Sequence, residues 1–392
     1  MELAVITSLF PSPPRPREGI FALERCRAFA ERGHGVHVIQ PVPHAPPLLA
    51  RGARGDFRRM PRRQVEGRLS ISRPRYWHWP GAGLSNARRF ARAALASLKR
   101  RGPAVRAVLL DYAWPAALAT AELQRLGKPV LIGGRGSDIL AVAEDAALAP
   151  WLRRALASAD GRLAVSRDLC ERMDTLAGAP GTRLLANGID RSRFFPGDRG
   201  AARRRLGLDA RAPLVLVVGH LIARKDPLRA LAAFAAGAPA AGRLVFLGRG
   251  ELEPELRRAI ARADLSGRVE LRPETAPGEL GDWYRAADLL LLTSHREGRP
   301  NVVLEALACA TPVLATAVGG TPELLADLPE CLAPDGEAGA IGARLADLLR
   351  SPPEAARLLG AAAGFSWERC ARELEEMIEA AVARAAERRS ER

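Results

Sequence analysis

The chain has few of the residues that disulfide frameworks, zinc sites and membrane spans require. Its five cysteines in 392 residues are odd in number and form no Cys-x-x-Cys pair, which argues against both a disulfide framework and a zinc site. Apolar runs such as LVLVV at 214–218 and LLLL at 289–292 are far shorter than the roughly 20 residues that span a bilayer. The first residues, MELAVITSLFPSPP, have no basic region before the apolar ones and predict a strand instead of a signal peptide. We therefore expect a cytoplasmic protein with its cysteines in the core.

The sequence also lacks the acidic pairs that commonly hold a divalent cation beside a phosphate. No Asp-x-Asp sequence occurs anywhere in the chain. Because carboxylates are the ligands that Mg²⁺ and Mn²⁺ prefer, we expect the protein to need no metal ion.

Lysine is scarce and arginine abundant, with three lysines among 59 basic residues and a formal net charge of +15. Residues 51–100 contain 14 of these basic residues against only two acids. The same segment holds Tyr76, Trp77, His78 and Trp79. A mixture of basic and aromatic side chains is typical of surfaces that meet anionic lipid headgroups or nucleic acid. A solvated surface in an arginine-rich chain is the alternative.

Apolar periodicity alternates strands with helices along the chain. The segments LAVITSLF, IFALERCRAFAERG and GVHVIQPV, with a proline-rich loop after the first, form one strand, loop, helix and strand. Comparable units follow, and after RLLANGIDRSRFFPGD the pattern starts again with APLVLVVGHL. The pattern predicts an α/β fold with two doubly wound halves joined near 188–198. Ligands of such sheets bind outside the carboxyl ends of the strands, so we expect the site between the halves.

Two acids flank a predicted helix start in the stretch HREGRPNVVLEALACATPVLATAVGGTPE. Pro300 suits the first helical position, which would leave the N–H groups of residues 301–303 free to bind a diphosphate. Glu297 precedes this helix. Glu305, about a turn and a half into it, could accept both hydroxyls of a ribose. The alternative is that Glu297 only favours the positive helix end and that Glu305 is solvated.

Two further predicted strands end in residues suited to ligand binding. A lysine follows the first of these strands, and two glycines follow the second. In VVGHLIARKDP one strand ends at Gly219, and Lys225 comes after a short loop. A lysine kept in so arginine-rich a chain indicates a need for a compact ammonium group, unless it is only a solvated loop residue. In LGRGE, Gly248 and Gly250 stand at the next strand end, where a tight turn lets the backbone approach a ligand.

These segments together resemble a known family. The stretch HREGRPNVVLEALACATPVLATAVGGTPE, with VVGHLIARKDP, LGRGELEPELR, ADLLLLTS and LLANGIDRSRFFP, is similar to the retaining glycosyltransferases of group 1, the glycogen-synthase-like family of the GT-B fold. The resemblance covers nearly the whole chain and is most specific between 187 and 323. The N-terminal pieces LAVITSLFPSP, REGIF and GGRGSDIL look like the branch that acts in bacterial exopolysaccharide and teichuronic-acid synthesis.

The resemblance implies transfer of a sugar, with retention, from a nucleotide diphosphate sugar, UDP- or GDP-linked, to a saccharide or lipid-linked hydroxyl acceptor. By it, Glu297 would contact the donor sugar, Glu305 the ribose, and Lys225 the diphosphate leaving group. The donor-binding set would then consist of residues at the strand ends and in the following helix: Gly19, Gly219, His220, Lys225, Gly248, Gly250, Glu297, Asn301, Val302 and Glu305. We expect an anionic membrane surface on the cytoplasmic side as a partner, and we expect no nucleic acid.

The sequence departs from the family pattern at three places. His220 stands where the family usually has an arginine that pairs with the lysine. The glycine-rich N-terminal loop corresponds to Glu18-Gly19, and a common His-Gly pair becomes Arg135-Gly136 ahead of Asp138. We predict catalytic roles for Lys225 and Glu297 and also for Arg135, as the ligand of an anionic group, and for Asp138. Gly19 as a plain turn and Asp138 as a helix cap are the structural alternatives.

The resemblance also implies a domain organisation. We expect an acceptor-side Rossmann-like domain at 1–187, a donor-binding Rossmann-like domain at 188–365, and a helix at 366–392 that crosses back to the first domain, with Trp367 as its anchor. Two alternatives of the same fold remain open, namely a sugar-nucleotide epimerase and a non-catalytic partner subunit. Nucleic-acid binding through residues 51–100, which we call the basic segment, is a third alternative.

Overall fold

The chain folds into two compact units. The structure, a computed structural model, describes residues 1–44, 53–100, 104–273, 275, 278–333 and 337–390. The first unit comprises Met1–Gly188 and Trp367–Arg392, and the second comprises Ile189–Ser366. Each junction lies one residue beyond the boundary predicted from the sequence.

The first unit is a sheet covered by helices. Its strands are β1 Glu2–Thr7, β2 Gly35–Ile39, β3 Val42–Pro43, β4 Arg63–Glu66, β5 Leu69–Ser72, β6 Arg75–Tyr76, β7 Ala107–Asp111, β8 Val130–Gly134, β9 Gly161–Ala164 and β10 Thr182–Leu184. Its first eight helices are α1 Ile20–Glu31, α2 Ala53–Arg59, α3 Gly83–Lys99, α4 Ala113–Ala116, α5 Thr120–Arg125, α6 Ser137–Glu144, α7 Ala149–Ser158 and α8 Arg167–Ala177. The predicted strand GVHVIQPV is divided into β2 and β3, which join different sheets.

The second unit repeats the arrangement. Its strands are β11 Leu214–Val218, β12 Arg243–Leu247, β13 Val269–Arg272, β14 Leu289–Leu292, β15 Val313–Thr316 and β16 Leu332–Ala333. Its helices are α9 Arg199–Leu206, α10 Pro227–Gly237, α11 Glu253–Arg262, α12 Leu280–Ala286, α13 Asn301–Ala308, α14 Thr321–Leu324, α15 Ala338–Arg350 and α16 Ala355–Ala363. The last helix of the chain, α17 Trp367–Ser390, belongs to the first unit.

Strand order places the loops that matter next to one another. Eight of the described strands of the first unit form a sheet in the order β10-β9-β8-β7-β1-β2-β5-β4, in which only β4 pairs antiparallel, and β3 pairs with β6 in a separate sheet. Those of the second form a parallel sheet in the order β13-β12-β11-β14-β15-β16. Both sheets carry apolar clusters on both faces, as the continuous apolar runs of their strands predict. Parallel neighbours end at the same edge, so the loop after β11 meets those after β12 and β14.

The terminal helix α17 packs on the sheet of the first unit. Its apolar stripe includes Cys370, Leu374, Ile378 and Ala381, residues three or four apart that lie in one buried cluster with β1, β7 and β8. Trp367 packs against the same cluster, as predicted for an anchor. The helix thus returns the end of the chain to the unit that contains its beginning.

The cysteines lie in or near the cores, as expected. Four of them, Cys26, Cys309, Cys331 and Cys370, are buried, and Cys170 is half-buried. In the described residues, no helix combines the length and apolarity needed to cross a bilayer.

Candidate functional site

The loop after β11 holds Lys225 at the carboxyl edge of the second sheet. Lys225 ends a short 3-10 turn, and Asp226 then adopts a left-handed conformation with φ of 46°. The Asp226 side chain caps α10 by accepting the N–H of Arg229 at 3.0 Å. From the loop after β14, the Thr293 hydroxyl lies 2.9 Å from the Asp226 carbonyl and 3.3 Å from that of Lys225. Two neighbouring strand-end loops are therefore tied together around the lysine.

Lys225 and Glu297 form a direct ion pair. The Lys225 ammonium donates to Glu297 Oε1 at 2.6 Å, and the two side chains are 17% and 7% exposed. Arg224 Nη1 lies 3.5 Å from the other carboxylate oxygen. The sequence predicted Lys225 and Glu297 at different parts of a ligand, but not this pairing. It arises because β11 and β14 are neighbours in the sheet, so their following loops meet.

The glycines after β11 and β12 let two loops pack backbone to backbone. A Cβ atom on Gly248, where φ is 154°, would lie 2.0 Å from the carbonyl oxygen of Gly219. One on Gly250 would lie 2.1 Å from the carbonyl oxygen of Leu221. The predicted close approach of backbone thus occurs, but its partner in the structure is the loop that carries Lys225. Contact of these glycines with a ligand stays a prediction.

The helix that follows Glu297 begins one residue later than predicted. Pro300 has an extended backbone and precedes α13, whose first turn contains Asn301 and Val302, both half-buried. The N–H of Val303 donates to the Pro300 carbonyl at 3.2 Å. The prediction of free amides at 301–303 was therefore wrong for Val303, because the proline carbonyl accepts its hydrogen bond.

The Gly-Gly turn after β15 supports the Glu297 loop, a role that the sequence reasoning missed. Gly319 adopts φ of 55°, and a Cβ atom there would lie 1.9 Å from the Glu297 carbonyl oxygen. Next to it, the N–H of Gly320 donates to the Gly298 carbonyl at 2.9 Å. A pair of adjacent glycines after a strand was the available signal, since only glycine combines positive φ with such close contact.

Glu305 shares its carboxylate with a buried tyrosine. The Tyr284 hydroxyl donates to Glu305 Oε2 at 2.8 Å. Burial raises the pKa of Glu305 to about 7, although the Tyr284 hydrogen bond and the charge of Arg193 both act to lower it. The half-buried position excludes the fully solvated alternative for Glu305. Tyr284 is a further member of the site that the sequence did not reveal, because its partner lies 21 residues away on another helix.

In the first unit, Arg135 is held inside the fold. Its Nη2 lies 2.7 Å from Asp111 Oδ1 and its Nη1 lies 3.0 Å from Asn187 Oδ1, and the side chain is 5% exposed. Arg25 contacts the same Asp111 oxygen at 3.2 Å. The binding of an anionic substrate group by Arg135 stays a prediction, and in the structure its guanidinium contacts Asp111, which it shares with Arg25.

Asp138 joins two strand-end loops of the first unit. Its carboxylate accepts the N–H groups of Arg135 and Gly136, both at 2.9 Å, and that of Ala113 at 2.6 Å. Burial raises the pKa of Asp138 to about 7. The alternative role of Asp138 as a helix cap is close to the observed arrangement, since Asp138 lies in the first turn of α6 and binds the loop before it. A catalytic role for Asp138 stays a prediction.

The remaining predicted residues are a glycine and a histidine. Gly19 precedes α1 with φ of 73°, and a Cβ atom there would lie 2.5 Å from the Leu9 carbonyl oxygen, so packing requires a glycine. His220 is exposed directly after Gly219.

In the described residues, no group of three or more His, Cys, Asp or Glu side chains is arranged to hold a metal ion. Metal independence itself stays a prediction.

Comparison with solved structures defines the class of fold. The chain superposes on sucrose-phosphate synthase from Thermosynechococcus elongatus with a TM-score of 0.79 and 22% identity, and the match covers 97% of this chain and 98% of the synthase chain. Anabaena Alr3699/HepE, solved in complex with UDP and glucose, matches 97% of this chain and 99% of its own with a TM-score of 0.71 and 18% identity. At such identities the likeness shows the fold, which is that of the GT-B glycosyltransferases.

Sequence comparison gives the family. The model of the glycosyl transferases group 1 matches residues 198–363, and that of glycosyltransferase family 4 matches residues 19–193. The putative teichuronic acid biosynthesis glycosyltransferase TuaC of Bacillus subtilis is 30% identical over 83% of both chains. The D-inositol 3-phosphate glycosyltransferase of Nocardia farcinica is 34% identical over 59% of this chain and 54% of its own. The chain belongs to the group 1 glycosyltransferases.

Proposed function

We propose that the protein transfers a sugar, with retention and without a metal ion, from a nucleotide diphosphate sugar to a hydroxyl acceptor in cell-surface polysaccharide or glycolipid synthesis. The observation that carries the proposal is the Lys225–Glu297 pair at the carboxyl edge of the second sheet. A lysine ammonium has three N–H donors. Within the described parts of the chain, Glu297 accepts one of these bonds, so two N–H groups are left to bind phosphate oxygens of a departing diphosphate.

The chemistry needs charge stabilisation more than a separate base. The bond between the anomeric carbon and the phosphate oxygen breaks, and its electron pair stays on the diphosphate. The acceptor oxygen forms its bond on the same face of the sugar, and its proton passes to a phosphate oxygen. Negative charge grows on the diphosphate during this step, and a cation held in place beforehand stabilises it without reorganisation. In the proposal Lys225 supplies this cation, while Glu297 positions it and contacts the donor sugar.

Glu305 is assigned to the ribose of the donor. It lies one helical turn beyond Asn301 on α13, and Tyr284 fixes the orientation of its carboxylate. An ionised carboxylate accepts hydrogen bonds from two neighbouring hydroxyls. UDP is the first nucleotide to test, because the solved structures of similar fold include HepE with UDP and with UDP-glucose.

The transfer reaction is tested with the full chain and a panel of nucleotide sugars. A thermal-shift screen finds the donor, because a ligand that binds only the folded state raises its melting temperature. Transfer of labelled sugar from that donor to a lipid-linked or saccharide acceptor is then followed by mass spectrometry. Conversion of the donor to an isomer without acceptor would favour an epimerase, and donor binding without any turnover would favour a non-catalytic subunit.

Metal independence gives a separate prediction. Turnover with the right donor should survive excess chelator, because in the proposal a lysine performs the electrostatic work of a cation. The rate is compared before and after addition of EDTA, with MnCl₂ restored in a third sample. Complete loss of activity that manganese restores would contradict the prediction.

We also propose that the basic segment brings the enzyme to an anionic membrane surface on the cytoplasmic side. Trp77 and Trp79 are 56% and 57% exposed, and their rings are stacked at 6.5 Å. Exposed arginines from the same segment are Arg58, Arg59, Arg62, Arg63, Arg68, Arg88, Arg92 and Arg100. Two others have structural roles, since Arg73 is buried and donates to the Pro11 carbonyl while Arg75 donates to that of Met60. Residues 51 and 52 lie outside the described residues.

A further inference from the structure

A cavity of about 390 Å³ lies in the second unit, away from the predicted donor site. Its wall is formed by Arg203 of α9, by the first residues of β11 and β12, by β13, and by the loops that precede β11 and β13. Lys225 and Glu297, in contrast, follow the carboxyl ends of β11 and β14. The cavity therefore belongs mainly to the amino edge of the sheet and shares no lining residue with the predicted donor set.

Four arginines line the cavity, and one of them is fully committed to the fold. Arg203 is 3% exposed, donates from Nε to the Ala286 carbonyl at 3.0 Å, and pairs with Asp288 at 2.6 Å. Its Nη1 donates to the Ala210 carbonyl at 2.8 Å. Arg203 thus forms part of the wall and leaves the other three arginines to meet a ligand.

Arg268 is held by backbone and by an aromatic ring. Its Nε donates to the Gly242 carbonyl at 3.0 Å and its Nη2 to the Pro239 carbonyl at 2.7 Å. The guanidinium lies 5.0 Å from the ring centre of Phe234. These contacts fix the group and leave Nη1 with no acceptor among the described residues.

Arg243 and Arg272 are fixed through fewer of their nitrogens. Arg243 donates from Nη1 to the Gly267 carbonyl. Arg272 places Nε 2.6 Å from Glu270 Oε1 and lies 5.0 Å from the ring centre of Trp283. For both, the part of the chain that the structure describes offers no acceptor to the Nη2 atom. Three guanidinium groups are therefore held around one cavity with N–H donors to spare.

The charge of the cavity wall is positive. Its four arginines face two acids, Glu270 and Asp209. Asp209 is occupied, since its carboxylate accepts the N–H groups of Arg211 at 2.7 Å and Ala212 at 3.3 Å, and these bonds lower its pKa. Asp288 compensates the charge of Arg203, so the other three arginines face Asp209 and Glu270, and a formal excess of one positive charge remains, which favours an anionic ligand.

We propose that this cavity binds the phosphate monoester of a small polar molecule, such as a sugar phosphate. Planar guanidinium groups donate paired hydrogen bonds to phosphate oxygens, and groups already held in place lose little freedom on binding. The volume is in the lower range of small-ligand sites, which fits a compact phosphorylated ligand. The site is separate from the proposed sugar transfer, since it uses none of the residues assigned to the donor.

The test uses the full chain in isothermal titration calorimetry with glucose 6-phosphate, inorganic phosphate and glucose. We expect glucose 6-phosphate to bind and glucose not to. The double variant Arg243→Ser/Arg272→Ser should bind glucose 6-phosphate at least about tenfold more weakly, the loss expected for one or two charge-assisted hydrogen bonds. Among the described residues, the single variant Arg243→Ser loses only the hydrogen bond to the Gly267 carbonyl, and its binding should weaken in the same direction if the double variant does not fold.

The matched control is Arg258→Ser/Arg262→Ser, which removes two exposed arginines of α11 outside the cavity. It should bind glucose 6-phosphate like the wild type. UDP binding should be unchanged in all of these variants, which separates failure here from failure of the proposed transfer reaction. Absence of phosphate-dependent binding, or equal weakening in the control, would overturn the proposal. Inorganic phosphate that binds as tightly as the ester would assign the cavity to free phosphate.

Discussion

At the scale of single residues, the pairing of Lys225 with Glu297 decides how the candidate site works. Both side chains are largely buried, so neither charge is well solvated without the other. Removal of one partner from such a pair leaves an uncompensated charge, which costs more than the net contribution of the intact pair. The two residues must therefore be tested with stability and activity measured side by side.

Lys225→Ala should lower kcat more than it raises KM for the donor, because leaving-group charge is greatest in the transition state. The expected loss is about 100-fold or more in kcat, as for other pre-positioned donors that meet a developing negative charge. Steady-state kinetics measure this. Lys99→Ala, which removes an exposed lysine paired with Glu122, is the control and should leave kcat unchanged. A small and equal effect of both variants would contradict the assigned role.

Glu305→Ala should weaken the binding of the donor and of the free nucleotide diphosphate by the same amount, about 1 to 3 kcal/mol for the lost hydrogen bonds. Because the pKa of Glu305 is about 7, its carboxyl group is protonated below that pH and ionised above it. Only the ionised form accepts bonds from both ribose hydroxyls, so the donor should bind more tightly at pH 8 than at pH 6. Glu305→Gln should remove this dependence. Equal affinity of the wild type at both pH values would argue against the ribose contact.

At the scale of elements, the site depends on loops that follow adjacent strands and touch through glycines. The loop after β15 packs on the Glu297 loop through Gly319, and the loop after β12 packs on the Lys225 loop through Gly248. A Cβ atom at either glycine would lie less than 3 Å from backbone atoms of the other loop. A side chain therefore has no room there unless one of the loops moves. Changes at these glycines should therefore affect catalysis as well as stability.

Gly319→Ala and Gly207→Ala separate backbone strain from steric overlap. Both glycines have positive φ, 55° and 66°, but a Cβ atom on Gly207 meets nothing within 4 Å. Gly207→Ala should cost only the strain of a left-handed residue, about 1 to 2 kcal/mol of unfolding free energy. Gly319→Ala should cost more and also lower kcat, since it displaces Glu297. Urea unfolding and steady-state rates check both points, and equal behaviour of the two variants would refute the argument.

At the scale of the whole molecule, positive charge is concentrated in the basic segment, and this favours binding to an anionic surface. Exposed arginines and the stacked Trp77 and Trp79 come from one segment of the first unit. Each basic residue near an anionic surface contributes about 1 kcal/mol, so a few of them are enough for peripheral binding. Indole rings favour the level of the headgroups, where one part of the ring is apolar and another is wet.

The protein should sediment with vesicles that contain anionic lipid at low ionic strength and be released by several hundred millimolar salt, given a Debye length of about 3 Å at 1 M. Binding should be lost in a variant in which four arginines of the segment become serine: Arg58, Arg59, Arg62 and Arg63. The control removes the same charge from exposed positions of the second unit: Arg257, Arg258, Arg262 and Arg350. Equal binding to neutral vesicles, or none to either kind, would show that these arginines only solvate a surface.

The sequence by itself determined the alternation of strands and helices, the division into two α/β halves and the membership of the group 1 glycosyltransferases. Buried parallel strands are apolar runs and surface helices repeat every 3.6 residues, so both are visible in local sequence. Only the tertiary structure decided which predicted residues meet. Periodicity contains no strand order, and strand order brings Lys225 to Glu297 and Arg135 to Asp111. The contact between Tyr284 and Glu305 likewise joins two helices that local sequence treats separately, because packing between distant segments fixes it.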